Sequence, residues 1–227
     1  RIAVKYQNLE AGTAVRFSAA RSFTGWEKDD PDNRWRYGAG NGTVCLSGTG
    51  LLSTNLTDRL FTNVRLIIPD FSAWNVNSLS ISNCSVTFER SGFHLTVSND
   101  LTIGVNGSLG LGVLTNATVS NFVLTCGGNL ILTNGGTLYA HSGPTNAAVP
   151  DCGALVSVAG DIIIGPTSWV YPVSEATNGG SVLFRGRNLT IATNGGVNAN
   201  GKGHGSTTGA GKGTDGACVE KIAQVDR

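Results

Sequence analysis

The run Leu95-Thr-Val-Ser-Asn-Asp100-Leu-Thr-Ile-Gly-Val-Asn-Gly107-Ser-Leu-Gly-Leu111 alternates aliphatic and polar residues around one Asp turn and one Gly turn. The same arrangement returns at Leu124–Ala140, Val156–Pro172 and Leu183–Ala199. Leu95, Leu124, Val156 and Leu183 head the four copies. Asp100, Asn129, Asp161 and Asn188 mark the first turn, and each precedes an aliphatic: Leu101, Leu130, Ile162 and Leu189. Ile103, Leu132, Ile164 and Ile191 follow two residues later. Gly107, Gly136, Ser168 and Gly195 mark the second turn, and Leu109, Leu138, Val170 and Val197 close the pattern. The first positions lie 29, 32 and 27 residues apart, so loop length varies while the core pattern holds.

Alternation with period 2 is the signature of a strand with one buried face. These strands are short, and Asn, Asp and Gly break them because those residues tolerate left-handed turn geometry. One copy buries too few aliphatics to offset the entropy of ordering about 30 residues, so neighbouring copies must stack and share a core. The expected fold is all-β: a parallel β-helix, or solenoid, with rungs of about 30 residues and variable loops. In such a stack like residues lie above one another. The Asn/Asp column is then expected to satisfy turn backbone groups, and Asp100 and Asp161 are not a catalytic pair. Cys126 shares a column with Val97 and Val158 and is expected to be a buried thiol, while Arg185 interrupts that column in the last copy.

Outside the four copies, residues 1–62 form one region, with short alternating runs at Arg1–Tyr6 and Ala14–Ala19 and a polar, aromatic excursion over 21–38. Residues 63–200 carry the rungs. Gly42–Leu46 and Val64–Ile68 read as strands, and Leu79–Ile81 with Val86–Phe88 as an imperfect earlier rung. Residues 201–227 contain a Gly-rich tract of low complexity.

Composition narrows the function. Sixteen Lys and Arg stand against fifteen Asp and Glu, a net charge of +1, which gives no electrostatic footprint for nucleic acid. Gly is 32 of 227 residues, about twice ordinary usage, which suits a turn-dense β structure. No apolar window reaches the length of a membrane-crossing helix. The chain has no Met and no visible signal peptide, as expected of an internal or processed piece of a larger protein. Cys45, Cys84, Cys126, Cys152 and Cys218 match no zinc spacing. A disulfide between two of Cys45, Cys84, Cys152 and Cys218 stays open, and the spacing does not choose the pair.

Several motifs recommend a known family. Asn178-Gly-Gly-Ser-Val-Leu, then Leu189-Thr-Ile, then Gly196-Val-Asn-Ala-Asn resembles a recurring unit of very large, secreted, glycine-rich bacterial repeat proteins. In that family the unit is followed by a Gly tract and then by Arg-Ile-Ala, as in Arg1-Ile-Ala-Val-Lys-Tyr here, so the resemblance implies that residues 1–62 are the tail of a preceding repeat unit plus the excursion, and 201–227 a Gly-rich loop and the start of the next unit. Gly40-Asn-Gly-Thr-Val-Cys-Leu is similar to another family step, with Cys45 in place of the usual Tyr. Residues 21–38 and Ala217–Arg227 depart from the pattern, with Glu220-Lys-Ile-Ala where Arg-Ile-Ala is usual. The resemblance implies a secreted or cell-surface bacterial protein with β-helical rungs, whose neighbours are further repeats of the same chain. It implies no particular chemistry.

The residues that could carry chemistry are few. Trp26, Trp35 and Tyr37, with Arg34, gather near acids, and such a set can stack on a sugar face while holding its hydroxyls. They are the candidate glycan-binding residues, with an extracellular polysaccharide as the partner. Asp29, Asp30 and Asp32 resemble half of a calcium loop, though the central Gly and distal Glu are missing, so calcium is the one cofactor considered. The Gly tract fails as a phosphate loop, because Lys212 is followed by Gly213 and not by Ser or Thr. The rungs expose Thr96, Thr102, Thr125, Ile131, Ser157, Ile163 and Thr190, with no carboxylates paired for acid–base work. His94, His141 and His204 lie far apart and pair with no nucleophile. Six Asn-x-Ser/Thr sequons, beginning at Asn41, Asn55, Asn83, Asn106, Asn116 and Asn188, arise by chance in a chain rich in those residues and carry no glycan implication in a bacterium. The function expected is structural or adhesive, without catalysis. The alternative is a carbohydrate-active β-helix of lyase or hydrolase type, or a glycan-binding module.

Overall fold

A computed structural model describes residues 1–8, 15–19, 41–112, 121–145, 152–175 and 180–203. Among the described residues every regular element is a strand. Every strand pair is parallel.

Three sheets carry almost all of the strands. The first has eight, in the order Ile2–Val4, Thr43–Leu46, Val64–Ile67, Ser85–Phe88, Ser108–Leu111, Thr137–His141, Trp169–Val173 and Gly196–Val197. The second has five: Ala73–Val76, His94–Val97, Val123–Cys126, Ala154–Val158 and Val182–Arg185. The third has six: Asn55–Leu56, Leu79–Ile81, Leu101–Ile103, Leu130–Leu132, Ile162–Ile164 and Leu189–Ile191. From Ala73 onward the chain visits the five-stranded, six-stranded and eight-stranded sheets in that order, five times over. Phe17–Ser18 and Phe61–Thr62 form a separate pair, in which the two Phe rings stack 5.8 Å apart.

Register turns the repeat into continuous columns. Leu79, Leu101, Leu130, Ile162 and Leu189 follow one another across the six-stranded sheet, as do Leu56, Ile81, Ile103, Leu132, Ile164 and Ile191. In the eight-stranded sheet Val64, Val86, Leu109, Leu138, Val170 and Val197 make one column. In the five-stranded sheet Trp74, Leu95, Leu124, Val156 and Phe184 make another. Their middle members are buried in one shared core. Leu130, expected to face inward, is fully buried, as is Ile164, while Thr102 lies on the alternate, partly exposed face. Cys126 is buried, as expected.

Two expectations are corrected in the last copy. Val156 pairs with Phe184, and Leu183 pairs with Leu155 on the outward face. Arg185 pairs with Ser157, which is also outward, so it interrupts no apolar column. The cause is a segment one residue shorter between that strand and Leu189: Val156 to Ile162 spans six residues, Phe184 to Leu189 only five.

The turn that leads into the eight-stranded sheet is also a column. Asn83, Asn106, Gly135, Thr167 and Asn194 occupy it, and all five have positive φ. Asn and Gly accept that conformation readily; a β-branched Thr with φ of 59° does not.

Candidate functional site

The residues expected to form a glycan or calcium site, Trp26, Arg34, Trp35, Tyr37, Asp29, Asp30 and Asp32, lie outside the described residues, as do His204, Lys212 and Cys218. Among the described residues, no three His, Cys, Asp or Glu side chains gather as a metal site would require.

The described surface does bring together one aromatic group. On the outward face of the eight-stranded sheet, Thr137, Tyr139 and His141 project from one strand, and Trp169, Tyr171 and Val173 from the next. Neighbouring strands lie about 4.8 Å apart, which is also a ring-stacking distance, so register alone forces Tyr139 and Tyr171 together. Their centroids are 4.9 Å apart and their planes 11° from parallel. Trp169 stands 6.4 Å from Tyr171, and His141 stands 6.5 Å from Tyr139. Gly196 gives the indole its place, because a Cβ there would sit 3.0 Å from Cζ3 of Trp169. Tyr139 is the most open member.

His141 is pushed down to about 4, first by burial and then by the positive charge of Lys202. It is therefore neutral at pH 7. The strip offers flat rings, phenol hydroxyls and a neutral imidazole, with no group of its own that is charged. Such a set of rings can stack on an amphipathic, uncharged surface; the strip itself carries no nucleophile paired with a base.

The turn column of Asn and Asp works differently. The Asn129 backbone N–H donates to Asp100 Oδ1 at 2.7 Å. The Asp161 backbone N–H donates to Asn129 Oδ1 at 2.9 Å. Asp161 Oδ1 then accepts from Asn188 Nδ2 and Arg187 Nε, both at 2.9 Å. Those donors hold the Asp161 carboxyl below its ordinary range. Gly128 and Gly160 make room, since a Cβ would approach Asp100 Oδ1 to 2.3 Å and Asn129 Oδ1 to 2.4 Å respectively. Each acid or amide thus ties its copy to the next.

Arg65 pairs with Glu89 beside a small cleft lined by Phe71, Phe88 and Phe93. The three rings pack on one another, with Phe88 and Phe93 stacked at 5.0 Å, and Phe88 and Phe93 belong to the core. Cys45, Cys84, Cys126 and Cys152 are free thiols. Burial pushes the Cys84 thiol up to about 11, which keeps it protonated and unreactive.

Sequence reading missed the aromatic strip, although its signal was present. Tyr139 and Tyr171 each follow an aligned aliphatic, Leu138 and Val170, and so share a column. Comparison with known protein families, curated proteins and solved structures finds no match.

Proposed function

We propose that the three sheets are the walls of a parallel β-helix, and that this chain is a structural and adhesive segment of a secreted or cell-surface bacterial repeat protein. One observation carries the reading: aliphatic columns continue from copy to copy through all three sheets, so each copy shares its core with the next. A stack of this kind extends by adding rungs and presents a long, repetitive face. The likeness of its motifs to glycine-rich bacterial repeat proteins supports the same role, with neighbouring rungs as its main partners.

A second reading, a glycan-binding module, is favoured by the aromatic strip of Tyr139, Trp169 and Tyr171. Rings fixed on a sheet lose little freedom when a sugar settles against them. The partner would be an extracellular polysaccharide, held by that strip or by Trp26, Arg34, Trp35 and Tyr37, with calcium at Asp29, Asp30 and Asp32 in the second case.

Incubation with a panel of soluble polysaccharides, with and without a calcium chelator, separates the readings. Retardation in affinity gels with no change in polysaccharide length supports an adhesive role. New reducing or unsaturated ends, absent from a heat-denatured control, would overturn it in favour of a hydrolase or lyase.

A further inference from the structure

Three copies carry an Asn-Gly step at the turn into the eight-stranded sheet: Asn106–Gly107, Asn134–Gly135 and Asn194–Gly195. The middle one is out of step by a residue. Gly107 and Gly195 close their turns, with N–H groups that donate to Gly104 O at 2.8 Å and Ala192 O at 3.1 Å. In the middle copy Gly136 closes the turn, donating to Thr133 O at 3.0 Å. Asn134 and Gly135 are therefore its two central residues, and both have positive φ, as a type I′ turn requires. Asn200–Gly201 holds the same place in a turn that Lys202 closes, donating to Ala199 O at 3.0 Å. At Asn41–Gly42 the Gly N–H is bonded again, to Ala19 O at 2.7 Å.

Among the described residues no acceptor pairs with the N–H of Gly135 or of Gly201. Both glycines also stand in open space, since a Cβ on either would meet nothing within 4 Å. The other three are closed in. A Cβ would come to 2.4 Å from Ile81 O at Gly107, to 2.5 Å from Gly165 O at Gly195 and to 2.9 Å from Ala19 Cβ at Gly42. Asn134 and Asn200 are themselves exposed. The backbone nitrogen that follows an Asn can attack the side-chain amide once its proton leaves. Glycine has no Cβ to hinder the approach. A hydrogen bond from that N–H holds the proton and fixes the peptide plane, so it must break first.

We infer that Asn134 and Asn200 are sites of spontaneous, backbone-assisted deamidation, and that Asn41, Asn106 and Asn194 are protected from it. The Gly135 nitrogen gives its proton to a base in the solvent and attacks Cγ of Asn134. The new N–Cγ bond forms, the Cγ–Nδ2 bond breaks, and the departing nitrogen takes up a proton and leaves as ammonia. Water then opens the five-membered succinimide at either carbonyl, giving aspartate or isoaspartate. Gly201 acts on Asn200 in the same way. Each event exchanges a neutral amide for a carboxylate, so two events take the net charge from +1 to −1. The first of these charges arises on the turn that leads into Thr137–His141, the strand that carries Tyr139 and His141.

Incubation of the full chain in heavy-oxygen water at mildly alkaline pH, followed by peptide mapping with electron-transfer fragmentation, tests this. The label enters the side chain only where a succinimide has opened, and the fragments distinguish isoaspartate from aspartate. Asn134 and Asn200 are expected to acquire it at least about tenfold faster than Asn41, Asn106 and Asn194, the factor that one hydrogen bond represents. In guanidinium chloride all five should react at comparable rates, since each precedes a glycine. Asn178–Gly179 lies outside the described residues and sets no expectation. Asn134→Val with Gly135→Asn moves the middle step on by one residue, to match Val105-Asn106-Gly107. That step should become slow, because Gly136 already donates to Thr133 O. Should circular dichroism show this variant unfolded, the ranking within the wild type decides alone. Asn106 or Asn194 labelling as fast as Asn134 in the folded chain would overturn the inference. So would an Asn134 that labels only in denaturant, or a moved step that stays fast in a folded variant.

Discussion

Asp100 and Asn129 are 29 residues apart in sequence, yet Asp100 Oδ1 accepts the Asn129 backbone N–H at 2.7 Å. The bond joins two turns that no local interaction could bring together, and Gly128 leaves the carboxylate its space. Asp100→Ala should therefore cost about 1–3 kcal/mol, the penalty for an orphaned N–H. Asp100→Asn keeps an acceptor oxygen and should cost less. Urea denaturation of both variants checks the order; equal losses would mean that the bond does not tie the turns.

Thr167 is the one β-branched residue in the left-handed turn column. Strain of this kind is worth about 1–3 kcal/mol. Thr167→Asn should raise the melting temperature, with a gain of roughly 1 kcal/mol, because Asn already occupies that turn at 83, 106 and 194. A lower melting temperature would count against the turn geometry.

Leu130→Asp and Ile164→Asp should each cost several kcal/mol, since both place an unpaired charge in the core. Thr102→Asp, on the other face, should be nearly neutral. Calorimetry of the three variants reads the strand phase directly, and equal losses would contradict it.

His141 should make stability depend on pH. Its folded value lies near 4 and its ordinary value is 6.5, so between these the unfolded chain binds the extra proton. Stability is therefore full above pH 6.5, falls as pH drops toward 4, and changes no further from this group below that. Each unit of difference is worth about 1.4 kcal/mol. His141→Gln should flatten that part of the profile; an unchanged slope would remove His141 as its source.

Strand phase was legible because Leu130, Ile103 and their counterparts recur at fixed offsets from an Asx turn, and those offsets survive loop changes. The head of the last copy was misread because Leu183 and Phe184 are both apolar neighbours. Hydropathy cannot choose between them; only pairing with Val156 does. Ala73–Val76 and the two-residue strands at Asn55 and Phe61 were missed, since they are too short or too mixed to show a period. The Tyr139–Tyr171 stack is a fact of register between strands 32 residues apart, visible in sequence only once the copies are aligned. The expected cluster at residues 26–37 lies outside the described residues, and the polysaccharide experiment is what bears on it.

Electron–electron resonance distances along one outward column test the rung stack most directly. Asn55, Ser80, Thr102, Ile131, Ile163 and Thr190 follow one another across the six-stranded sheet. Spin labels at Ser80 and Thr190, with Cys45 and Cys218 changed to Ser, span four strand spacings, about 19 Å. Labels at Asn55 and Thr190 span five, about 24 Å. A stack of parallel rungs predicts that step of one strand spacing between the two pairs; distances that do not increase from the first pair to the second would contradict it.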